Sequence, residues 1–537
     1  MVVPELGPWR AAGPHVVRIA DAVRPRLARA AETVRSRLAR VAAAAGPRFA
    51  RPDRPESPRV PRVARPKTWR FVATAATAGL ALAAGAVTAA GPWDSNGQRT
   101  SERHRAVALE AARGTDHARA HAGTPPRGPE AAPSAASVLT GLGSAAVRSA
   151  PGDKALTGVL GPLLKTPALG RRSAAVVDVA TGERLYGTGS GDALTPASTT
   201  KIATGVAALS AMGADHRLTT RVVFEPDTEE VVLVGGGDPT LTARKEAHGL
   251  ASLRDLAGRT AAALAKRGVR EVTLSYDTTL YRGTVNHPIG VNPNLAAVTP
   301  LMADEARTDD STSGPAPRVA DPAADAARKF GAFLEEHGVE ATPPGRSKAS
   351  TRASTLATVS SPPLGVLVER MLTGSDNDLA EALARHTALA TGGSADFAGA
   401  GAAVTARLKK LGLPVKGAVF KDGSGLDRGG RLTADLLTAL LVKAGDPDRP
   451  ELRPVLTGLP VAGFTGTLAG RYADGAAGVV RAKTGTLTGV NTLAGTVVDR
   501  DGRLLAFAFL ANGTTDPAAA QSALDEAATA LAACGCR

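Results

Sequence analysis

The sequence predicts an α+β fold, an antiparallel sheet flanked by helices, assembled from the two ends of a globular body and interrupted by an inserted domain. Three observations carry this. Short apolar segments bounded by turn residues occur near residues 173–186 and again at 479–511, helical patterns fill much of the chain between them, and an Ala/Leu-rich helix over 518–533 closes the body. The 537 residues suffice for two to four domains at roughly 100–200 residues each.

Taken in order, residues 1–70 form a basic head. They hold 16 Lys and Arg against 5 Asp and Glu, a net of +11 out of +14 for the whole chain. The remainder is close to neutral, and aromatic residues are 3% of the chain, too few for a stacking platform on a single strand. No nucleic-acid partner is expected. Residues 16–45 read in two ways. One is an Arg-rich helix pair broken at Pro25, with Arg24, Arg26, Arg29, Arg35, Arg37 and Arg40 attracted to anionic lipid headgroups; the other is a solvated basic tail.

Residues 71–90 (FVATAATAGLALAAGAVTAA) are 20 residues without a charge. As a helix they span roughly 30 Å, the thickness of a bilayer core. Arg62, Arg65, Lys67 and Arg70 precede them and Asp94 follows. The positive-inside bias therefore predicts a single-pass transmembrane helix with residues 1–70 cytoplasmic and everything after about residue 91 outside. Cleavage as an export signal near Val87-Thr88-Ala89 is the alternative. Residues 91–153, rich in Gly, Pro, Ser, Ala and Arg, read as a linker or stalk. His117 and His121 within it are spaced i, i+4, but no Glu follows His117 as a zinc protease requires, so they read as solvated histidines.

From about residue 153 the texture becomes that of a folded body. Residues 173–179, the Thr181-Gly182 turn and Arg184-Leu185-Tyr186 predict a hairpin. Residues 194–208 (LTPASTTKIATGVAA) predict a loop entering an apolar helix, with Ser198 near its start. Residues 231–234 predict a strand that ends in GGGDP; these glycines lack G-x-G-x-x-G spacing and are expected to serve a turn with positive φ. Residues 479–483, 492–499 and 504–511 predict successive antiparallel strands. The two cysteines, Cys534 and Cys536, sit at a C-terminus expected to fray, so neither a stapling disulfide nor a cysteine-rich metal site is expected in the body. No motif asks for a metal or another cofactor, and Ala482-Lys483-Thr484 lacks the Gly of a Walker A loop.

Ser198-Thr199-Thr200-Lys201 is an S-x-x-K at a helix start. Three residues is just under one turn, so Ser198 Oγ and Lys201 Nζ share a face. A hydroxyl becomes a nucleophile only when something takes its proton. Lysine can do so where burial and nearby positive charge keep it partly neutral, and amides at the helix N-terminus supply donors for an oxyanion. Alone the motif is a weak signal. Downstream stand Ser375-Asp376-Asn377, an S-x-N, and Lys483-Thr484-Gly485-Thr486, a K-T-G on a strand. That order of three motifs is the set found in class A β-lactamases and penicillin-binding proteins. Ser375 is expected to relay the leaving-group proton, and Asn377 to hold the substrate amide and orient Lys201. Lys483, with the Thr484 and Thr486 hydroxyls, is expected to bind a terminal carboxylate. Gly485 is expected to let substrate backbone approach the strand as an added edge.

Further stretches accompany the motifs: Thr204 after PASTTK, GGGDPTL at 235–241, SPPL at 361–364, Glu381 after S-D-N, DGSGLDR at 422–428, LPVAG and GTL within 459–468, and AKTGTLTGV at 482–490. On these residues the body, about 155–535, resembles the serine D-Ala-D-Ala carboxypeptidase/endopeptidase family, the low-molecular-mass class C penicillin-binding proteins. The resemblance implies a penicillin-binding/β-lactamase-like core with extra domains inserted between the first two motifs, so that the catalytic body comprises residues 154–212 and 361–537, with 213–360 inserted as an accessory region. Here 177 residues separate Ser198 from Ser375, fewer than in the family's larger insertions. It also implies a role for each site residue. Ser198 attacks the penultimate peptide carbonyl, its own N–H and that of Thr486 form the oxyanion hole, and Lys201 is the base. D-Ala departs with a proton passed through Ser375, and water then frees the acyl group. The implied partners are peptidoglycan stem peptides ending in D-Ala-D-Ala, with β-lactams as inhibitors. Asp427 stands where the family usually shows serine.

Two rival functions are weighed. A class A β-lactamase places E-x-x-x-N between the second and third motifs; here Glu381 and Glu451 are the only glutamates in that interval, and neither has Asn four residues on. An idle wall-binding protein on the same scaffold would have no chemical need for three intact motifs.

Overall fold

The computed structural model describes residues 153–534, apart from 226, 473 and 474. The basic head, the expected membrane span at 71–90, the stalk with His117 and His121, and Cys536 lie outside the described residues. Among the described residues no helix is long and apolar enough to cross a membrane.

Helix α1 (Asp153–Leu164) leads into the hairpin β1 (Arg171–Asp178) and β2 (Arg184–Thr188), followed by α2 (Thr200–Met212). Residues 219–360 then supply β3 (Thr219–Glu225), β4 (Glu230–Val234), α3 (Leu253–Ala265), β5 (Glu271–Asp277), α4 (Pro322–Glu336), β6 (Glu340–Ala341), β7 (Gly345–Arg346) and β8 (Ser354–Ser360). The chain continues through α5 (Leu364–Thr373), α6 (Asn377–Ala390), α7 (Phe397–Lys410), α8 (Ala434–Gly445) and the short α9 (Pro454–Thr457). It closes with β9 (Val480–Leu487), β10 (Val490–Val498), β11 (Leu504–Asn512) and α10 (Pro517–Ala532).

The first and last strands meet in one antiparallel sheet of order β2-β1-β11-β10-β9. Both of its faces are covered, so β11 reads as an unbroken apolar run. On one face Ala175, Ala494, Ala506 and Ala508 let α8 pack close, with α2 packed on α8; on the other Phe507 and Phe509 fill the space toward α1 and α10. Burying each phenylalanine contributes about 1.5–3 kcal/mol. β9 and β10 differ by one to four residues at each end from the bounds the apolar pattern suggests, and β11 differs by one residue at its end only.

Helix α2 is the axle of this body: all ten residues from Thr200 to Leu209 are buried. A helix apolar all round belongs inside a domain. Gly205 lets it approach α5, since a Cβ there would lie 3.1 Å from Val368. The second sheet, order β6-β5-β4-β3-β8 with β7 also paired to β5, is mixed, and α3 and α4 bury their apolar stripes against it.

Ser198 lies near the start of α2 as expected, in a 3-10 turn (Ala197–Thr199) that runs directly into it. Two local expectations need correction. Of the glycines at 235–237 only Gly237 has positive φ, at 77°; Gly236 is required because a Cβ would fall 2.0 Å from the Thr219 carbonyl oxygen. The C-terminal end does not fray at Cys534, which is buried, packs in the cluster under α10 and is disulfide-bonded.

Candidate active site

The turn that carries Ser198 is held from three sides. Ala197 takes a left-handed backbone at φ 49°, a conformation that costs a non-glycine residue roughly 1–3 kcal/mol and persists only where its surroundings impose it. Gly425, at φ 81°, packs so tightly that a Cβ would lie 1.9 Å from the Ala197 carbonyl oxygen. From β10, the Thr492 hydroxyl donates to the Pro196 carbonyl at 2.8 Å. This bond explains Gly485: a Cβ there would lie 2.1 Å from Thr492 Oγ1 and 2.8 Å from the Pro196 oxygen. The close approach at Gly485 is therefore to the protein's own Ser198 turn.

One helical step on, Lys201 Nζ donates to Ser198 Oγ at 2.9 Å, to Asn377 Oδ1 at 2.6 Å and to the Ser424 carbonyl at 2.8 Å. The side chain is wholly buried, and burial lowers its pKa to about 8, with Asp422 foremost among the charges that oppose the shift. A lysine so placed is partly neutral near pH 8 and touches the hydroxyl it would deprotonate.

The second motif opens α6. Asp376 caps the helix by accepting from the Leu379 N–H at 3.0 Å, and Ser375 before it is forced to φ 55° at the cleft wall. Asn377 spends both ends of its amide inside the protein, Oδ1 on Lys201 and Nδ2 on the Asn294 carbonyl at 2.8 Å.

The third motif lies on β9, the edge strand of the sheet. The Ala482 N–H points off that edge, to the Pro460 carbonyl at 3.0 Å. Period two then turns the N–H groups of Thr484 and Thr486 to the same outer side, beyond the segment at 460–462 that covers the strand's first half. Thr484 donates its hydroxyl to Thr467 Oγ1 at 2.9 Å. Lys483 is fully buried, with Nζ on the Thr484 carbonyl at 2.8 Å; burial first, then Lys201 and Arg471, holds it well below the ordinary lysine value.

Ser198, Ser375, Asn377, Thr484 and Thr486 all line one cleft of about 430 Å³. Lys201 and Lys483 stand behind it. Its far wall is built by Arg307, Arg318 and Arg370, which pair with Glu305, Asp378 and Asp376. The wall is thus charge-balanced and structured.

Sequence reasoning missed Ser424, Asn294, Thr467 and the arginine wall. Ser424 and Thr467 lay within the DGSGLDR and GTL stretches but carried no chemistry by spacing, because one acts through its backbone carbonyl. Glu381 does not face the cleft. It accepts the N–H groups of Gly423 and Ser424 at 3.0 and 2.9 Å and pairs with Arg385 at 3.1 Å, outside the lining of the cleft. Asp427 turns to the Gly429 N–H at 2.7 Å, while its own N–H goes to Asp422.

This arrangement, an S-x-x-K turn under the edge of a five-stranded sheet with S-x-N across the cleft, has the layout of the penicillin-binding/β-lactamase-like fold. The same fold occurs in penicillin-binding protein 4 of Haemophilus influenzae, matched at 20% identity and a TM-score of 0.57 over 68% of this chain and 97% of that one. Residues 156–294 and 298–533 match the D-Ala-D-Ala carboxypeptidase 3 (S13) family, and the chain belongs to it. A carboxypeptidase of Mycobacterium tuberculosis is 36% identical over 77% of this chain and 90% of its own length. The D-alanyl-D-alanine carboxypeptidase of an Actinomadura species is 32% identical over 64% and 78%. The protein is a serine-type D-Ala-D-Ala carboxypeptidase.

Proposed function

We propose that this carboxypeptidase trims peptidoglycan stem peptides ending in D-Ala-D-Ala, with Ser198 as nucleophile and Lys201 as base. The observation that carries the assignment is the three-point hold on Lys201 Nζ by Ser198, Asn377 and the Ser424 carbonyl. Free-base Lys201 takes the Ser198 proton as Oγ bonds to the penultimate carbonyl carbon. The oxyanion accepts from the Ser198 and Thr486 N–H groups. The C–N bond then breaks as the proton held on Lys201 passes through Ser375 to the departing D-Ala nitrogen, and water hydrolyses the ester, returning a proton to Ser198 Oγ. The substrate lies along the open half of β9 as an added strand, its terminal carboxylate on the Thr484 and Thr486 hydroxyls with Lys483 Nζ buried behind them. β-Lactams acylate the same serine and leave slowly.

The test is release of D-Ala from an acylated tripeptide ending in D-Ala-D-Ala, followed against pH. A lysine lowered to about 8 is mostly protonated at pH 6 and mostly free at pH 9. The rate is therefore expected to climb about tenfold per unit below that value and level off above it. A rate flat from pH 6 to 9 would remove Lys201 as base.

In our reading residues 213–360 are an accessory insertion and residues 71–90 anchor the enzyme, with the catalytic body outside. The uncharged 20-residue span and the four basic residues before it support this. Protease added to intact spheroplasts is expected to spare residues 1–70; digestion of that head from outside would invert the topology.

A further inference from the structure

Beneath the catalytic lysine lies a buried histidine that none of the three motifs contains. His287 comes from the loop after β5, within the segment between the first two motifs, and reaches into the core, where only 1% of its side chain is exposed. Its ring stands edge-on to Phe397 of α7 at 5.2 Å between centroids. Nδ1 accepts from the Ile289 N–H at 3.2 Å, so the proton of the neutral ring is on Nε2, which donates to Asp422 Oδ2 at 2.9 Å.

Asp422 in turn organises a turn. Its two oxygens accept from the Gly425 N–H at 2.9 Å, the Asp427 N–H at 2.7 Å and Ser424 Oγ at 3.2 Å. Glu381 fixes the same turn from α6 through the Gly423 and Ser424 N–H groups, and Thr204 of α2 donates to the Gly423 carbonyl at 2.7 Å. The product of these bonds is one carbonyl, that of Ser424, aimed at Lys201 Nζ from 2.8 Å.

We propose that His287 is a positioning residue for the general base: through Asp422 it sets the Ser424 carbonyl and the carboxylate charge that Lys201 meets. The chain between the first and second motifs is thereby coupled to the reaction. The proposal rests on the assignment of Lys201 as base.

The electrostatics agree in sign. Burial works to raise the Asp422 carboxyl, but hydrogen bonds from His287 and from the Asp427 and Gly425 N–H groups hold it below its ordinary value, so it stays ionised. Its charge favours the ammonium form of Lys201, as do those of Asp376, Glu381 and Asp378, while the buried Lys483 lies on the opposing side. Arg385, paired with Glu381 and set over the Phe397 ring at 4.2 Å, is a further charge on the Phe397 side of His287. Without the His287 donor, the carboxyl of Asp422 rises toward neutrality or turns away, and Lys201 drops further.

The test compares penicillin acylation rates against pH for the wild-type chain, His287→Leu, which keeps an apolar body against Phe397, and His287→Gln, whose amide can still donate to Asp422. His287→Leu is expected to lower the plateau rate about tenfold and move the midpoint about one pH unit toward acid. His287→Gln is expected to recover most of both. Asp422→Asn, near-isosteric and uncharged, is expected to show the same acid shift, which keeps the test decisive if the leucine variant does not fold. A wild-type rate and midpoint in His287→Leu overturns the proposal. So does an unmoved midpoint in Asp422→Asn, or equal slowing by Leu and Gln with no shift. A folded wild-type chain that takes no penicillin at all overturns instead the Lys201 assignment on which the proposal stands.

Discussion

Ser198→Ala is expected to abolish covalent labelling by penicillin and to reduce D-Ala release at least about 10⁴-fold, the scale of removing a catalytic nucleophile. The loss is chemical and not structural. Ser198 is half-buried, and its side chain takes part in one hydrogen bond, from Lys201, whose ammonium keeps Asn377 and the Ser424 carbonyl. The turn itself is held by backbone packing on Gly425 and by the Thr492–Pro196 bond, neither of which involves the serine hydroxyl. The variant should therefore melt within about 1 kcal/mol of the wild type, the net scale of one hydrogen bond. Intact-protein mass spectrometry after incubation with penicillin reads the result directly. An adduct on the alanine variant, at any site with wild-type kinetics, would refute the nucleophile assignment.

Lys201→Arg is the second large effect. Arginine keeps the positive charge and can keep the hydrogen bonds, but it does not lose a proton in proteins, so it cannot accept one from Ser198. Acylation is expected to fall about 10³-fold, within the range of a lost general base. The larger guanidinium enters a fully buried site, where overpacking costs about 1–3 kcal/mol, so the melting temperature is measured beside the rate. Lys201→Met, closer in volume, separates the two contributions: it should also be silent, with no free base to offer. Acylation retained by a folded Arg or Met variant would show that another group takes the proton.

The fold and family were legible in local patterns because the chemistry is written in short segments. The apolar runs at 173–179 and 504–511 mark strands buried on both faces, and S-x-x-K, S-D-N and K-T-G each occupy one turn or one strand end. Legibility failed where a residue acts through backbone or through a distant partner. Gly485 reads as a place for substrate to approach, but the space it leaves is taken by Thr492 and the Pro196 carbonyl from within. Lys483 reads as a ligand for a carboxylate, but the fold buries its ammonium against its neighbour's carbonyl. His287 carries no sequence signal at all: a lone histidine in a loop is ordinary until Asp422, 135 residues on, is found against it.

The class of protein, the order of its motifs and the residue types available for the chemistry are all local properties of the chain. Periodicity and spacing within a turn depend only on local backbone geometry, and these are properties of neighbouring residues. Which groups surround Lys201 depends on how the distant parts of the chain come together. Ser198 is three residues away, but Asn377 and the Ser424 carbonyl are 176 and 223 residues away, and the burial that lowers its pKa to about 8 comes from helices packed around α2. Desolvation and charge–charge energies depend on distances through space, and those distances exist only once the chain has closed on itself.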